Sequence, residues 1–119
     1  MAKILVVDDS ASMRNMVTAT LQSDGHQVTD AGDGQAALNK AKSGQFDAVV
    51  TDLNMPIMDG IELVKNLRSL PTYKYTPILL LTTESSADKK AEGKKAGATG
   101  WLVKPFNPEK LLATIGRVL

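Results

Sequence analysis

No cysteine occurs among the 119 residues, so disulfides and thiolate-bound metals are excluded and the redox compartment is left open. Histidine is nearly as scarce. The single one, His26 beside Gly25, has no second histidine to pair with and reads as a turn residue rather than a metal ligand. An excess of either charge is also missing. A net charge of +1 argues neither for a polyanion-binding surface nor for an acidic tail, and no nucleic-acid partner is expected. No apolar run approaches the ~20 residues that cross a bilayer. No basic-then-apolar leader opens the chain, because Lys3 is followed by only four apolar residues, Ile4 to Val7, before Asp8. A cytoplasmic, soluble monomer without a membrane partner is therefore expected. Repeats, low-complexity tracts and linkers are absent too. What is present is ordinary: 43% hydrophobic and 23% charged residues suit a soluble globular protein. Residues 1–119 fit one domain, with enough chain for a real core.

Ile4-Leu5-Val6-Val7 is wholly apolar and is bounded by Asp8-Asp9-Ser10, the pattern of a parallel strand buried on both faces. Met13, Met16, Val17, Thr20 and Leu21 then recur at helical spacing, with Ser10 or Asp9 as N-cap and Gly25 as the stop. Gln27 to Ala31 is a more polar strand, expected at the sheet edge. Gly32-Asp33-Gly34 leads into a helix with Ala37, Leu38 and Ala41 on one side, ending near Gly44. Ala48-Val49-Val50 is a third strand, running into Asp52 and breaking at Met55-Pro56. Asp59 caps a helix with Leu63, Val64 and Leu67 inward; Pro71 to Pro77 is a loop. Ile78 to Leu81 is a fourth buried strand, ending in Thr82-Thr83-Glu84. A helix over Ser85 to Ala96 carries only alanines as apolar side chains and is interrupted by Gly93. Thr99 to Val103 is a fifth strand. Asn107, with Pro108 at the first helical position, starts the last helix, which buries Leu111, Leu112, Ile115 and Leu119.

Strands and helices thus alternate five times, predicting a doubly wound α/β fold: a flavodoxin-like (βα)5 domain with a five-stranded parallel sheet. Strands one, three and four are the wholly apolar ones and belong in the centre, which favours the order 2-1-3-4-5.

In such a sheet ligands bind at the carboxyl ends of the strands. The first strand ends in Asp8 and Asp9, the third in Asp52, the fourth in Thr82 and the fifth in Lys104. Taken singly, each has a bland explanation: a helix cap, a strand terminator, a surface lysine. Together they form a chemical set. Three carboxylates in a small volume repel one another unless a cation joins them. Hard oxygen ligands with an incomplete shell suit Mg²⁺, which keeps several waters and favours carboxylates plus phosphate oxygens. A lysine adds a point positive charge and a threonine hydroxyl a donor. Their sum is a site for a phosphoryl group on or near an acid.

The patterns V-V-D-D-S at 6–10, D-L-N-M-P-I-M-D-G at 52–60, L-T-T at 81–83 and K-P-F at 104–106 resemble the receiver domain of two-component response regulators. The likeness spans the whole chain and is greatest to the stand-alone chemotaxis regulators. The resemblance implies that Asp52 is the phosphoacceptor, receiving its phosphoryl group from the phosphohistidine of a histidine kinase. It implies a Mg²⁺ site in which Asp9 is the main acid, Asp8 acts mostly through water, Asp52 is a ligand and Asn54 contributes its backbone carbonyl. Thr82 matches the switch hydroxyl and Lys104 the phosphate-pairing lysine, with the Lys104–Pro105 bond expected cis. A downstream protein would read the face formed by the fourth helix, last strand and last helix.

Two departures from the family pattern stand out. The switch aromatic, usually Tyr or Phe, is Trp101, whose larger ring makes an inward position tighter; the alternative is a static packing tryptophan. The fourth helix bears Lys89, Lys90, Lys94 and Lys95, where flagellar regulators present a more apolar patch, which tells against binding the flagellar motor switch. Non-enzymatic signalling is expected, limited to self-phosphorylation from phosphodonors and autodephosphorylation. One alternative is a phosphate sink or relay intermediate. Another is an aspartyl-phosphate phosphatase, which would want an acid where Asn54 stands. A flavodoxin-like cofactor binder would want a phosphate loop in place of Asp8-Asp9.

Overall fold

Three of the five strands owe their central position to their apolar sequence. In the computed structural model, described for residues 2–83, 85–104 and 106–119, β1 (Lys3–Val7), β2 (Gln27–Ala31), β3 (Ala48–Thr51), β4 (Ile78–Thr82) and β5 (Gly100–Val103) form one parallel sheet in the order β2-β1-β3-β4-β5. Every residue of β3 and β4 is buried, whereas β2 alternates and lies at an edge. The period of two along β1 feeds two cores. Leu5 and Val7 join Val49, Leu63, Leu67 and Leu80 on one face; Ile4 and Val6 join Val17, Leu21, Leu79 and Ile115 on the other.

The crossover helices are α1 (Ala11–Ser23), α2 (Gly34–Ser43), α3 (Gly60–Arg68), α4 (Ala87–Ala96) and α5 (Pro108–Val118). Each begins at an N-cap whose side chain accepts a backbone N–H: Ser10, Asp33, Asp59, Ser86 and Asn107. Ser10, not Asp9, caps α1, which frees the Asp9 carboxylate for other partners. The first helix ends at Asp24, followed by Gly25 at φ +87°.

Four local expectations need correcting. Leu119, expected on the buried face of the last helix, lies just past the end of α5 and is 49% exposed, and Thr114 joins Leu111 and Ile115 inside instead. Met16, placed on the inner face of α1, is 48% exposed; only Val17 and Leu21 of that helix are buried, so its inner stripe is narrow. The segment between Pro71 and Pro77 is more than a loop. Residues Pro71–Tyr73 form a 3-10 turn that buries Tyr73 completely, its hydroxyl directed at the carbonyls of Ala41 (2.8 Å) and Gly44 (2.9 Å). The fourth helix starts at Ala87 and the fifth strand at Gly100, slightly later than the patterns suggest. The Lys104–Pro105 bond lies outside the described residues.

Arg68 locks the far end of this half of the molecule. Its guanidinium donates to the carbonyls of Tyr73 (2.7 Å) and Thr76 (2.6 Å), and twice to that of Gly97 just past α4 (3.0 and 2.8 Å). Burial pulls its pKa below the ordinary value, although a guanidinium stays charged. The helix it secures is otherwise lightly held: Gly93 is the only residue of α4 that is buried. A Cβ at Gly93 would stand 2.9 Å from Trp101 Cζ3 and 3.0 Å from Leu80 Cδ1. The glycine that interrupts the helical pattern is therefore where α4 rests on β5.

Candidate phosphoryl and metal site

Register brings the acids together. Val7 of β1 pairs with Thr51 of β3, so Asp8 and Asp52, one residue further on, leave the sheet side by side. Backbone bonds hold both: Asp52 N–H donates to the Val7 carbonyl (2.9 Å) and Asp8 N–H to the Ala31 carbonyl (3.2 Å). Lys104 enters from the opposite edge, its own N–H anchored on the Thr82 carbonyl at 2.8 Å. Its ammonium crosses β4 and β3 to lie 3.1 Å from Asp8 Oδ2 and 3.3 Å from Asp52 Oδ2. The three side chains are only 12%, 5% and 11% exposed respectively. Two buried carboxylates thus share one cation, the arrangement their mutual repulsion demands.

The remaining carboxylate oxygens differ in their engagement. Asp8 Oδ1 accepts the Ser10 N–H at 2.9 Å and Asp52 Oδ1 the Leu53 N–H at 2.7 Å. Asp9 is exposed. Asp8, Asp9 and Asp52 each offer an oxygen, and those oxygens lie within 4.8 Å of one another. Hard, anionic, one of them solvent-facing, this donor set fits a divalent cation of the Mg²⁺ kind. Asn54 stands exposed in the loop after Asp52.

Of the other predicted residues, Thr82 is fully buried at the end of β4. Trp101 is half-buried on β5, in register with Leu80. Because side chains alternate along a strand, Thr82 and Trp101 point to the same face of the sheet, the one α4 covers. Trp101 packs against the core on that face and against Gly93.

Several features of the site had no signal in the sequence. Gly34 lets α2 approach the loop after β3, since a Cβ there would lie 2.6 Å from the Met58 carbonyl oxygen. Ile57, in the same loop, adopts φ +73° and is 79% exposed, with Met58 N–H donating back to the Pro56 carbonyl at 2.8 Å. That is a three-residue turn of the strained kind. Met55-Pro56 forecasts a break in the chain here, but nothing in a β-branched residue forecasts positive φ.

The model of the response regulator receiver domain matches residues 4–116. The chain belongs to this family. It is 42% identical over 117 residues to chemotaxis protein CheY-3 of Vibrio cholerae, a match covering 98% of this chain and 90% of that protein. Its fold superposes on the crystallised V. cholerae chemotaxis protein CheY4 with a TM-score of 0.97 at 60% identity, covering 100% of this chain and 99% of that one. The receiver domain of the sensor histidine kinase PA1611 of Pseudomonas aeruginosa, solved with a magnesium ion coordinated in its active-site cleft, aligns with a TM-score of 0.90. There the identity is 28%, over 98% of this chain and 95% of that domain. The protein is thus a CheY-like receiver domain of a response regulator, with chemotaxis proteins among its homologues, and its sheet order is the one expected. Proteins of this kind are in general signalling modules rather than enzymes. No helix among the described residues is long and apolar enough to cross a membrane.

Proposed function

We propose that residues 1–119 act as a single receiver whose Asp52 is reversibly phosphorylated by a histidine kinase in chemotaxis-like signalling. The observation that supports this most is the ammonium of Lys104 held between the Asp8 and Asp52 carboxylates, with Asp9 open to solvent beside them. In this reading Asp9 and Asp52 hold Mg²⁺, Asp8 acts mostly through water, and Asn54 adds its backbone carbonyl. When bound, Mg²⁺ supplies positive charge against the equatorial oxygens of the phosphoryl group.

The chain's own residues do the rest. An Asp52 carboxylate oxygen forms the O–P bond while the N–P bond of the donor phosphohistidine breaks and the imidazole leaves with the electron pair. Lys104 already faces Asp52 Oδ2 and stays to pair with the phosphoryl oxygens, giving up part of its hold on Asp8. The product carries about two charges where Asp52 carried one, with new acceptor oxygens. Thr82 turns its hydroxyl toward them. Space opens on the face shared with Trp101, and α4, buried only at Gly93, shifts with the ring. The output is a population shift of the surface formed by α4, β5 and α5, read by a downstream protein in the cytoplasm. The receiver works as a monomer, with no enzymatic turnover beyond its own phosphorylation and dephosphorylation.

Trp101 fluorescence tests metal, acceptor and switch together. Mg²⁺ followed by a beryllofluoride mimic of the acyl phosphate should shift the emission in the wild type but not in Asp52→Asn. An emission unchanged by both additions in the wild type would contradict the proposal.

A further inference from the structure

Arg14 takes no part in the chemistry described above, yet it reaches the peptide link between the two acids of β1's end. It lies in the first turn of α1, its N–H donating to the Ser10 carbonyl at 2.9 Å. Its Nη1 donates to the backbone carbonyl of Asp8 at 2.8 Å and its Nε to Asp30 Oδ2 on the edge strand, also at 2.8 Å. The fork therefore ties α1, the end of β1 and β2 at a single point. Asp30 neutralises the guanidinium, with the two side chains 22% and 48% exposed.

The tie matters because the carbonyl it holds belongs to the peptide that carries Asp9. Asp8 is fixed independently: its N–H is bonded to Ala31, its Oδ1 to Ser10 and its Oδ2 to Lys104. Asp9 projects into solvent. A peptide unit is planar, so the orientation of the Asp8 carbonyl sets the plane from which Asp9 departs. Holding that carbonyl holds the N and Cα of Asp9 in place and so narrows the positions its carboxylate reaches by rotation about N–Cα and the side-chain bonds.

We propose that Arg14 is a positioning residue for the divalent-cation site, acting through the Asp8–Asp9 peptide to aim the Asp9 carboxylate at the Asp52 side. This rests on the reading of Asp8, Asp9 and Asp52 as the cation's ligands. The fork geometry is what counts: one nitrogen on Asp8, another on Asp30, a pairing that a lysine ammonium cannot reproduce.

The test is a Mg²⁺ titration followed by backbone amide chemical shifts, in the wild type, Arg14→Met and Arg14→Lys, with urea unfolding of each protein in EDTA. Arg14→Lys keeps the charge and much of the stem, so one folded variant is secured if Arg14→Met proves unstable. Partners that orient a metal ligand contribute about 10–100-fold in affinity; both variants should bind Mg²⁺ about tenfold more weakly than the wild type, the low end of that range. Wild-type affinity in Arg14→Lys would overturn the proposal, because charge alone would then suffice. So would unchanged or tighter binding in Arg14→Met, which would make Arg14 a purely structural group or a repelling charge. A wild type that fails to titrate at all would instead remove the reading of the three acids on which the proposal stands.

Discussion

Gly60 lies so close beneath Asp52 that a Cβ on it would stand 2.2 Å from the Asp52 carbonyl oxygen and 2.9 Å from the Leu53 Cα. The contact is backbone on backbone, reinforced by the Gly60 N–H donating to the Leu53 carbonyl at 2.8 Å. No side-chain rotation can relieve it. Gly60→Ala should therefore push α3 away from the end of β3, costing about 1–3 kcal/mol as an overpacked site does. It should also weaken Mg²⁺ binding by moving the Asp52 carboxylate. Urea unfolding and a Mg²⁺ titration measure the two effects; an alanine variant as stable as the wild type would contradict this.

Lys104 is the resident cation of two buried acids. Its replacement by methionine leaves Asp8 and Asp52 facing each other without a counter-charge, a loss on the order of 3 kcal/mol. The same change removes a positive charge that opposes an incoming cation, so Mg²⁺ should bind Lys104→Met more tightly. Because a ligand selective for the folded state stabilises it by RT ln(1 + L/Kd) at free concentration L, and so more the tighter it binds, Mg²⁺ should raise the unfolding midpoint of the variant more than that of the wild type. An equal or smaller rise would show that the ammonium and the metal do not share these acids.

Ile57 holds positive φ with a β-branched side chain, a strain of about 1–3 kcal/mol. Glycine removes the strain at an entropic cost of roughly 0.5–1 kcal/mol. Ile57→Gly should be more stable than the wild type by about 1 kcal/mol, the difference of those terms. Ile57→Ala, which keeps the Cβ, should not be. The side chain is 79% exposed, so little packing is lost in either variant. Equal unfolding midpoints for glycine and alanine would dispose of the strain.

Tyr73 closes the back of the core with a buried hydroxyl, and burial raises its pKa above the ordinary 10.0, the backbone of Phe46 offsetting part of the rise. A raised folded-state value means that the unfolded chain loses this proton first, so its contribution is intact below 10.0 and is lost as pH climbs through the folded value. Tyr73→Phe should cost about 1–3 kcal/mol near neutral pH by orphaning the Ala41 and Gly44 carbonyls. It should also flatten the alkaline decline in unfolding free energy. A variant whose alkaline limb parallels that of the wild type would contradict this.

The strands were legible because parallel burial writes itself as continuous apolar runs, as in Ile78 to Leu81, and polar residues at their ends mark where the sheet opens. Helix starts were legible for a local reason: a cap such as Asp59 or Asn107 bonds to a backbone N–H within its own turn. Asp8, Asp52 and Lys104 could be grouped because topology alone carries strand ends to one edge. Tyr73 could not be placed, since its burial depends on the end of α2 arriving above it. Arg14 and Arg68 were illegible likewise: each acts through carbonyls on other elements, and a carbonyl leaves no trace in residue type. Gly93 misled in the opposite sense, looking like a helix breaker while serving as the seat of Trp101.

Intact-mass measurement after incubation with a small phosphodonor, followed by peptide mapping, tests the central claim most directly. The account predicts one added phosphoryl group, located on Asp52, absent when Mg²⁺ is chelated and absent in Asp52→Asn. A phosphoryl group mapped to any other residue, or a label that persists in Asp52→Asn or in EDTA, would contradict it.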